Sequence, residues 1–264
     1  MQPSWKARLA TAVLMLGVLS APVPSQVLPR TEVAEGRYDM KARNIGAGSG
    51  GTFGLSESWK LWRLSDSNYM VEGKWKLELD SDVNAPRGFS YEINMSPDFH
   101  TTAFRISGAI PGTPRVGTFD CELAPGEFRC RIEGQGAQQG KELKLSVEGP
   151  YDLFIPTPWF LTSLVGRARR EIGKQTPVRL VFLEDGGAMA FEGRVDYLGE
   201  AEFRAAGQTF QAEKFEIHPG ALPWSAVVWL SPEGMLLAFE DSKNPGQRME
   251  LTKYKKHADF GPGR

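Results

Sequence analysis

Hydrophobic and polar residues alternate with a period of two along most of this chain. In Tyr69–Leu79, the apolar Val71, Trp75 and Leu77 are separated by charged side chains such as Lys74 and Lys76. A period of two is typical of a strand with one buried and one solvated face, as in an antiparallel sheet. The same pattern predicts strands at residues 37–43, 55–64, 69–79, 89–95, 101–107, 117–123, 127–133 and 141–148.

The alternation resumes in the last third of the chain. Strands are predicted at residues 178–184, 189–197, 200–205, 209–217, 226–230, 235–239 and 249–254. Short glycine-containing turns separate many of them, at residues 185–187, 206–207 and 233–234, with a glycine-rich hairpin turn at 46–51. Turns at this spacing are typical of hairpins.

One stretch, residues 152–173, has a helical period instead. Phe160, Leu164, Ala168 and Ile172 recur every four residues, so they predict a helix over residues 157–172 with one apolar face. We expect Thr157 to cap it and Pro158 to occupy its first position. Its last turns would hold three arginines before Gly173 stops it, where cations favour the negative end of the helix dipole; these are Arg167, Arg169 and Arg170.

Two series of strands around one helix predict a mainly β protein, with a curved antiparallel sheet or half-barrel of many strands and one covering α-helix. We expect a single domain over residues 36–254, a loose leader at 26–35 and a flexible tail at 255–264.

The first 25 residues are typical of a secretory signal peptide. Lys6 and Arg8 precede an uncharged run over residues 9–19, and Val23 and Ser25 place small side chains before a cut at Gln26. The run is shorter than the ~20 apolar residues that span a bilayer, so no integral span is expected after the signal is removed. The sequence therefore predicts export to the periplasm or the cell exterior.

Composition excludes some partners. The chain has 31 basic and 32 acidic residues and a net charge of −1, and removal of Lys6 and Arg8 makes it −3. Such a balance gives no global attraction to nucleic acid, which we do not expect as a partner.

The two cysteines of the chain, Cys121 and Cys130, flank a turn at Pro125-Gly126. Folding about that turn sets them opposite each other on neighbouring strands, which predicts a disulfide in an exported protein. The same register predicts two flanking pairs, Glu122 with Arg129 and Leu123 with Phe128. Free thiols or a metal pair are the alternatives, but no His or further Cys lies nearby in the sequence to complete a metal site.

Catalytic chemistry has weak support in this sequence. The three histidines, His100, His218 and His257, fall on separate segments without the spacing of a metal site or a Ser/His/Asp order. Glu57, Glu72 and the pair Glu184-Asp185 could supply two carboxylates for glycoside hydrolysis. We predict no catalytic residue, cofactor or metal.

The aromatic residues are more suggestive. Trp59, Trp75, Trp159 and Phe160, together with Leu164 of the helix, are our candidate ligand-binding residues. They could form an ordinary core, line an apolar groove for an acyl chain or hydrophobic peptide, or stack on sugar rings. The arginines after residue 166 could receive an anionic head group or only complement the helix dipole.

Four short segments resemble parts of a widespread group of exported bacterial proteins of unknown function. The resemblance lies in an opening strand, an Ala-Gly-x-Phe turn, a Trp-Leu-Ser-x-x-Gly turn and a closing strand, here residues 57–61, 200–210, 229–234 and 250–252. It implies a half-barrel like that of the periplasmic lipoprotein carriers of the LolA and LolB type, in which a sheet and a covering helix enclose an apolar cavity. Pro232 and the Cys121–Cys130 hairpin depart from that pattern.

The sequence therefore predicts an exported, non-enzymatic carrier or binding protein for a lipid, acyl chain or lipoprotein in the bacterial cell envelope. Two alternatives remain open. One is a secreted carbohydrate-active or hydrolytic enzyme. The other is an envelope protein that binds a protein partner along an exposed sheet edge.

Overall fold

The computed structural model describes residues 29–43, 52–79, 88–109, 116–134, 140–155, 157–184, 187–220, 225–242 and 247–261. These residues form one sheet of fifteen strands and one α-helix, α1 (Pro158–Gly166). The strands are β1 (Arg30–Arg43), β2 (Thr52–Leu64), β3 (Tyr69–Leu79), β4 (Gly88–Met95), β5 (Thr101–Ala109), β6 (Val116–Ala124), β7 (Glu127–Gly134), β8 (Lys141–Ser146), β9 (Asp152–Leu153), β10 (Gln175–Glu184), β11 (Gly187–Ala205), β12 (Gln208–Pro219), β13 (Ala226–Leu230), β14 (Leu236–Asp241) and β15 (Arg248–Lys256).

The sheet consists of two meanders that meet at the first and last strands. Strands β1 to β8 pair in chain order, strands β9 to β15 do the same, and β1 pairs with β15. Every pair in the described chain is antiparallel except β9 with β10. The sheet is curved but open, with β8 and β9 as its edges. The predicted fold class, a curved antiparallel sheet of many strands with one helix, is confirmed.

The strand register confirms the predicted disulfide hairpin. Cys121 lies opposite Cys130 and the two form a disulfide. Gly126 has a φ of 81°, so glycine at this turn position avoids the strain that a side chain would cause. The flanking pairs also match the prediction: Glu122 with Arg129 and Leu123 with Phe128.

Two glycines let aromatic rings lie flat on the inner face of the sheet. A Cβ atom on Gly73 would lie 2.1 Å from Cζ of Tyr91, its neighbour across β3 and β4. A Cβ atom on Gly36 would lie 2.5 Å from the ring of Trp59, its neighbour across β1 and β2. Because both rings fill the space of a missing side chain, glycine at each position is required by packing.

The helix differs from the prediction in length and in placement. It ends at Gly166, and all its residues from Pro158 to Val165 are buried. The helix therefore lies inside the curved sheet and not as an amphipathic cover with one wet face. Ile172, expected on the apolar face of the helix, lies beyond it and is 76% exposed. Pro158 does occupy the first turn, but the Thr157 side chain makes no capping hydrogen bond.

The arginine cluster also lies outside the helix. Arg167 is the C-cap, and no basic residue lies in the last turn. Arg170 nevertheless satisfies the helix end, because its Nη1 donates to the carbonyl oxygens of Gly166 (2.9 Å) and Ala168 (2.8 Å). Arg170 also pairs with Glu213 at 3.1 Å, which links the segment after the helix to β12. Gly173, with φ 79°, belongs to the following turn and does not end the helix.

Both predicted flexible ends are partly ordered. Residues 30–35 of the expected leader belong to β1, where Val33 and Ala34 are fully buried. In the expected tail, the backbone N–H groups of His257 and Ala258 donate to the carbonyl oxygen of Val33, and Phe260 is buried. Long-range pairing of the first and last strands holds both segments in place. The predicted signal peptide (1–25), the turn at 46–51 and Asp185 lie outside the described residues.

Candidate functional site

The candidate site lies on the inner face of strands β1 to β4. Tyr38, Glu57, Trp75 and Phe89 are cross-strand neighbours in one row of the sheet. The strand pleat puts residues two apart on the same face, so Trp59, two residues beyond Glu57, also faces the interior. The row thus places a carboxyl group among aromatic rings.

Glu57 is fully buried, and its carboxylate oxygens accept hydrogen bonds from Trp75 Nε1 and from the Tyr91 hydroxyl. Burial raises the pKa of Glu57 to about 8, although the two hydrogen bonds act in the opposite direction. The group is therefore largely protonated at neutral pH. Burial first, and then the nearby Glu57, raises the pKa of Tyr38 and of Tyr91 well above the usual value of 10.

Trp59 joins this row to the helix. Its ring stacks on Tyr38 at 6.0 Å and meets the ring of Trp159 edge to face at 4.9 Å. The indole Nε1 atoms of Trp59 and Trp159 are both buried and have no hydrogen-bond partner in the described part of the chain. Together with Glu57 and Trp75, these residues form what we call the aromatic–glutamate cluster: Tyr38, Glu57, Trp59, Trp75, Tyr91 and Trp159.

Three of the predicted ligand-binding residues, Trp59, Trp75 and Trp159, fall in this cluster. Trp75 is half-buried and stacks on Phe89 at 5.3 Å, so the cluster reaches the surface there. Phe160 packs edge to face on Phe104 at 5.3 Å, away from the cluster. Leu164 is buried in the core. A binding role for these five residues stays a prediction.

Sequence reasoning named Glu57 only as one of several carboxylates and missed its position. The signal is visible: in β2 it occupies an inward position between the apolar Leu55 and Trp59. A charged residue in such a position must be paired or neutral when it is buried.

A second polar cluster lies between α1, β9 and the turn before β5. Nδ1 of His100 is 3.1 Å from Asp152 Oδ1 and 3.3 Å from Ser163 Oγ. Ser163 Oγ also accepts a hydrogen bond from the backbone N–H of Thr101 at 3.0 Å. Arg167 contacts His100 Nε2 and lies 3.8 Å from Asp152 Oδ2. The sequence did not indicate this cluster, because His100 lies 52 or more residues from Asp152, Ser163 and Arg167 in the chain.

This cluster contains Ser, His and Asp but lacks the arrangement of a catalytic triad. In a triad, serine and aspartate bond opposite nitrogens of the imidazole ring. Here both approach Nδ1 of His100, while Nε2 faces Arg167. Ser163 and Asp152 are also buried, so a substrate could not reach the hydroxyl. The contacts of this cluster connect the helix to β9 and to the turn between β4 and β5.

The paired-carboxylate alternative meets a similar geometric obstacle. Glu57 faces the interior, whereas Glu72 points outward and pairs with Arg30 at 2.6 Å. Two carboxylates on opposite faces of a sheet cannot flank one glycosidic bond. Glu184 ends β10, next to Asp185 outside the described residues.

Glu32, Glu35 and His257 could hold a metal ion, because their ligand atoms lie within 4.8 Å of one another. His257 Nε2 is 3.1 Å from Glu32 and 3.5 Å from Glu35. Lys60 already bonds Glu32 at 2.7 Å and lies 3.8 Å from Glu35, so a metal would compete with its ammonium group. The contacts of these two carboxylates with Lys60 are those of an ordinary surface ion-pair network, which needs no metal ion.

Comparison with known proteins provides information on the fold of this chain but not on its function. The sequence matches no protein-family profile and no curated protein. The structure is similar to that of a β-barrel-like protein of domain of unknown function DUF1849 from Brucella abortus, with a TM-score of 0.56 at 13% identity over 86% of this chain and 99% of that one. A DUF1089 family protein from Pseudomonas aeruginosa matches with a TM-score of 0.41 at 16% identity over 74% of this chain and 92% of that one.

The likeness to the Brucella protein is at the level of the fold, because 13% identity carries no residue roles. This chain therefore has a β-barrel-like architecture that also occurs in a domain of unknown function. Within the described residues, no helix has the length and apolar character needed to cross a membrane.

Proposed function

We propose that this protein is an exported, non-enzymatic binding protein of the bacterial cell envelope that takes up an apolar chain inside its curved sheet. One observation carries the proposal: the indole N–H groups of Trp59 and Trp159 are buried, adjacent and without an acceptor among the described residues. Buried polar groups nearly always have a hydrogen-bond partner, so two neighbouring indole N–H groups without an acceptor require an explanation. A ligand with an oxygen at one end would supply the missing acceptor.

The apolar part of such a ligand would lie among the rings beside this pair. Tyr38 flanks Trp59 on one side, and the helix residues around Trp159 are entirely buried. Binding sites for small ligands are mostly apolar with a few placed polar groups, and the aromatic–glutamate cluster has this composition. The proposal therefore concerns a lipid or acyl chain, the ligand class that the aromatic residues suggested.

Because α1 occupies the interior, it would have to move to admit a ligand. Its nine residues are fewer than the ~12–15 that make a helix marginally stable alone, and its N-cap side chain makes no hydrogen bond. Packing and the His100–Asp152–Ser163 contacts hold it in place. The sheet edges β8 and β9 do not pair with each other, but the segment between them is tied to both sides. Tyr151 donates to the carbonyl oxygens of Ala124 and Glu127, and Arg179 donates to that of Glu148, so these contacts would also have to break to admit a ligand.

Two further features support the envelope location. The first 25 residues have the character of a signal peptide, and the Cys121–Cys130 disulfide is typical of an oxidising compartment. The resemblance to the periplasmic lipoprotein carriers is consistent with an apolar cargo. Fractionation of the native host would test the location directly.

Binding is tested with 11-(dansylamino)undecanoic acid, excited directly so that tryptophan substitutions do not alter the signal by energy transfer. We expect saturable enhancement of dansyl fluorescence with the unmodified protein. Trp159→Phe removes the N–H donor and retains an aromatic ring, although the smaller ring leaves a cavity at this buried position. A single hydrogen bond contributes about 0.5–1.5 kcal/mol, so this variant should bind roughly 2- to 12-fold more weakly.

The matched control is Trp62→Phe. Trp62 lies on the outer face of β2, where its Nε1 donates to Glu72 at 3.0 Å, so its loss should leave probe binding unchanged. Absence of saturable binding, or equal affinities for the two variants, would refute the proposal.

A further inference from the structure

A groove of about 920 Å³ lies on the outer face of the sheet, opposite the interior site. It crosses strands β15, β1, β2, β3, β4 and β5. Its lining includes three acidic side chains, Glu35, Glu72 and Glu92, and six basic ones: Arg37, Lys60, Lys74, Arg105, Lys253 and Lys255. The groove therefore has a local excess of positive charge on a chain whose net charge is −1.

Ion pairs neutralise only part of that excess. Two of the three acids are already engaged: Glu35 with Lys60 and Lys255, both at 3.8 Å, and Glu72 with Arg30 at 2.6 Å. Arg37 pairs with Asp39 at 2.8 Å. Among the described residues, Lys74, Arg105 and Lys253 make no ion pair within 4 Å, although Lys253 is near enough to Asp39 to help lower the pKa of that carboxyl group. Free cations in a concave site raise the local concentration of anions.

The register aligns three cations of the groove in one row across the strands, and two of them, Lys253 and Lys74, make no ion pair among the described residues. In order, the row consists of Lys253, Arg37, Ser58, Lys74, Ser90 and Ser107. Side chains in such a row point to the same side, and it contains no carboxylate. Lys253 and Lys74 are three strands apart, a separation of about 14 Å at the usual strand spacing.

The hydroxyl groups in the row lie beside Lys74. Ser58 and Ser90 are its direct cross-strand neighbours, and both are exposed. Lysine supplies a point charge with three donors, and serine supplies a rotatable donor, a combination that suits phosphate oxygens. A ligand that reaches both Lys74 and Lys253 must carry at least two anionic groups.

We propose that this outer groove binds a ligand with two or more phosphate groups, one at Lys74 between Ser58 and Ser90 and another toward Lys253. The cations of this site lie on the opposite face of the sheet from Glu57, although Trp59 and Tyr91 of the aromatic–glutamate cluster also line the groove. The phosphates could belong to a soluble polyphosphate compound or to a lipid surface, and both present the same chemistry to the groove.

The test uses sodium tripolyphosphate in isothermal titration calorimetry at low salt, with full-length mature protein. We expect saturable binding that weakens as salt is added, because exposed charges are screened. The double variant Lys74→Gln/Lys253→Gln should lose at least ten-fold in affinity. A parallel experiment measures co-sedimentation with vesicles of phosphatidylglycerol and of phosphatidylcholine.

Lys144→Gln on β8 is the control, since it removes one charge from an exposed position outside the groove. Tripolyphosphate binding without preference for phosphatidylglycerol would support a soluble ligand. Co-sedimentation with phosphatidylglycerol that tripolyphosphate competes away would support a lipid headgroup. No binding of either probe, or equal affinities for the double variant and Lys144→Gln, would overturn the proposal.

Discussion

Glu57 is a carboxyl group in the middle of an apolar face, and its environment sets its protonation. Trp75 and Tyr91 supply donors to it, but no cation pairs with it in the described structure. Its pKa of about 8 means that the buried group stays neutral through most of the physiological range. A neutral carboxyl costs far less to bury than a charged one, which explains how the core tolerates it.

The stability of the protein should therefore depend on pH through Glu57. Between the unfolded pKa of 4.5 and the folded value of about 8, the folded protein holds a proton that the unfolded chain releases. The free energy of unfolding should fall as pH rises across this window, by up to about 5 kcal/mol. Glu57→Gln, which resembles the protonated acid, should remove this slope and be the more stable form at pH 8.

Urea denaturation of both proteins at pH 5 and pH 8 measures the effect. Glu92→Gln removes the same charge from an exposed position on the outer face of β4 and should keep the slope of the unmodified protein. An unchanged slope in Glu57→Gln would show that another group controls the pH dependence.

The environments of single residues could be predicted from the sequence only in part. Strand alternation identifies Glu57 and Trp59 as inward residues once β2 is recognised. The contact of Trp59 with Trp159 could not be read, because the two residues are one hundred positions apart in the chain. The same holds for His100, Asp152 and Ser163, which no local pattern connects.

At the scale of elements, the helix shows how burial overrides a periodic pattern. Apolar residues every four positions extend to Ile172, but only residues up to Gly166 are helical. The four-residue apolar repeat does not include Thr162 and Ser163, yet both of these polar helix residues are buried. An element enclosed by a curved sheet buries every side, so a one-sided apolar stripe is not its signature.

Asp152 should be the main polar anchor of this helix. It is buried in β9 and touches His100 and Ser163, and it lies near Arg167. Asp152→Ala removes these contacts and leaves their partners unpaired, so we expect a loss of about 1–3 kcal/mol of stability. The loss should be local, with faster hydrogen exchange at the amides of α1 than in the unmodified protein.

Hydrogen exchange followed by mass spectrometry distinguishes a local from a global effect. Asp120→Ala alters an exposed aspartate on β6 and should leave the exchange of α1 unchanged. Equal acceleration in the disulfide hairpin β6–β7 would mean that Asp152 supports the whole fold and not the helix in particular.

At the scale of the whole molecule, the pairing of β1 with β15 joins two meanders into one sheet. This contact spans nearly the full chain, so it is costly to close and depends on many other contacts forming with it. The residues after β15 extend it: His257 and Ala258 bond to Val33, and the Phe260 ring is 6.3 Å from that of Phe99.

These final contacts should stabilise the joined sheet. A chain that stops after Lys256 loses the buried Phe260 and two backbone hydrogen bonds, and we expect a loss of about 2–4 kcal/mol. A chain that stops after Gly261 keeps all of them and should match the full-length protein. The urea midpoints of the two truncated forms provide the measurement, and equal midpoints would contradict a structural role for residues 257–261.

Local alternation by itself determined most strands and their inward faces, since a pleated backbone sends successive side chains to opposite sides of a sheet. It divided β11 into two strands, at 189–197 and 200–205, and it missed the short β9. It also determined the disulfide hairpin, whose partners are nine residues apart. The tertiary structure was needed for the meeting of β1 with β15, the enclosure of α1, the protonation of Glu57 and the outer groove. Each of these depends on burial or charge contributed by segments far apart in the chain, which no local pattern contains.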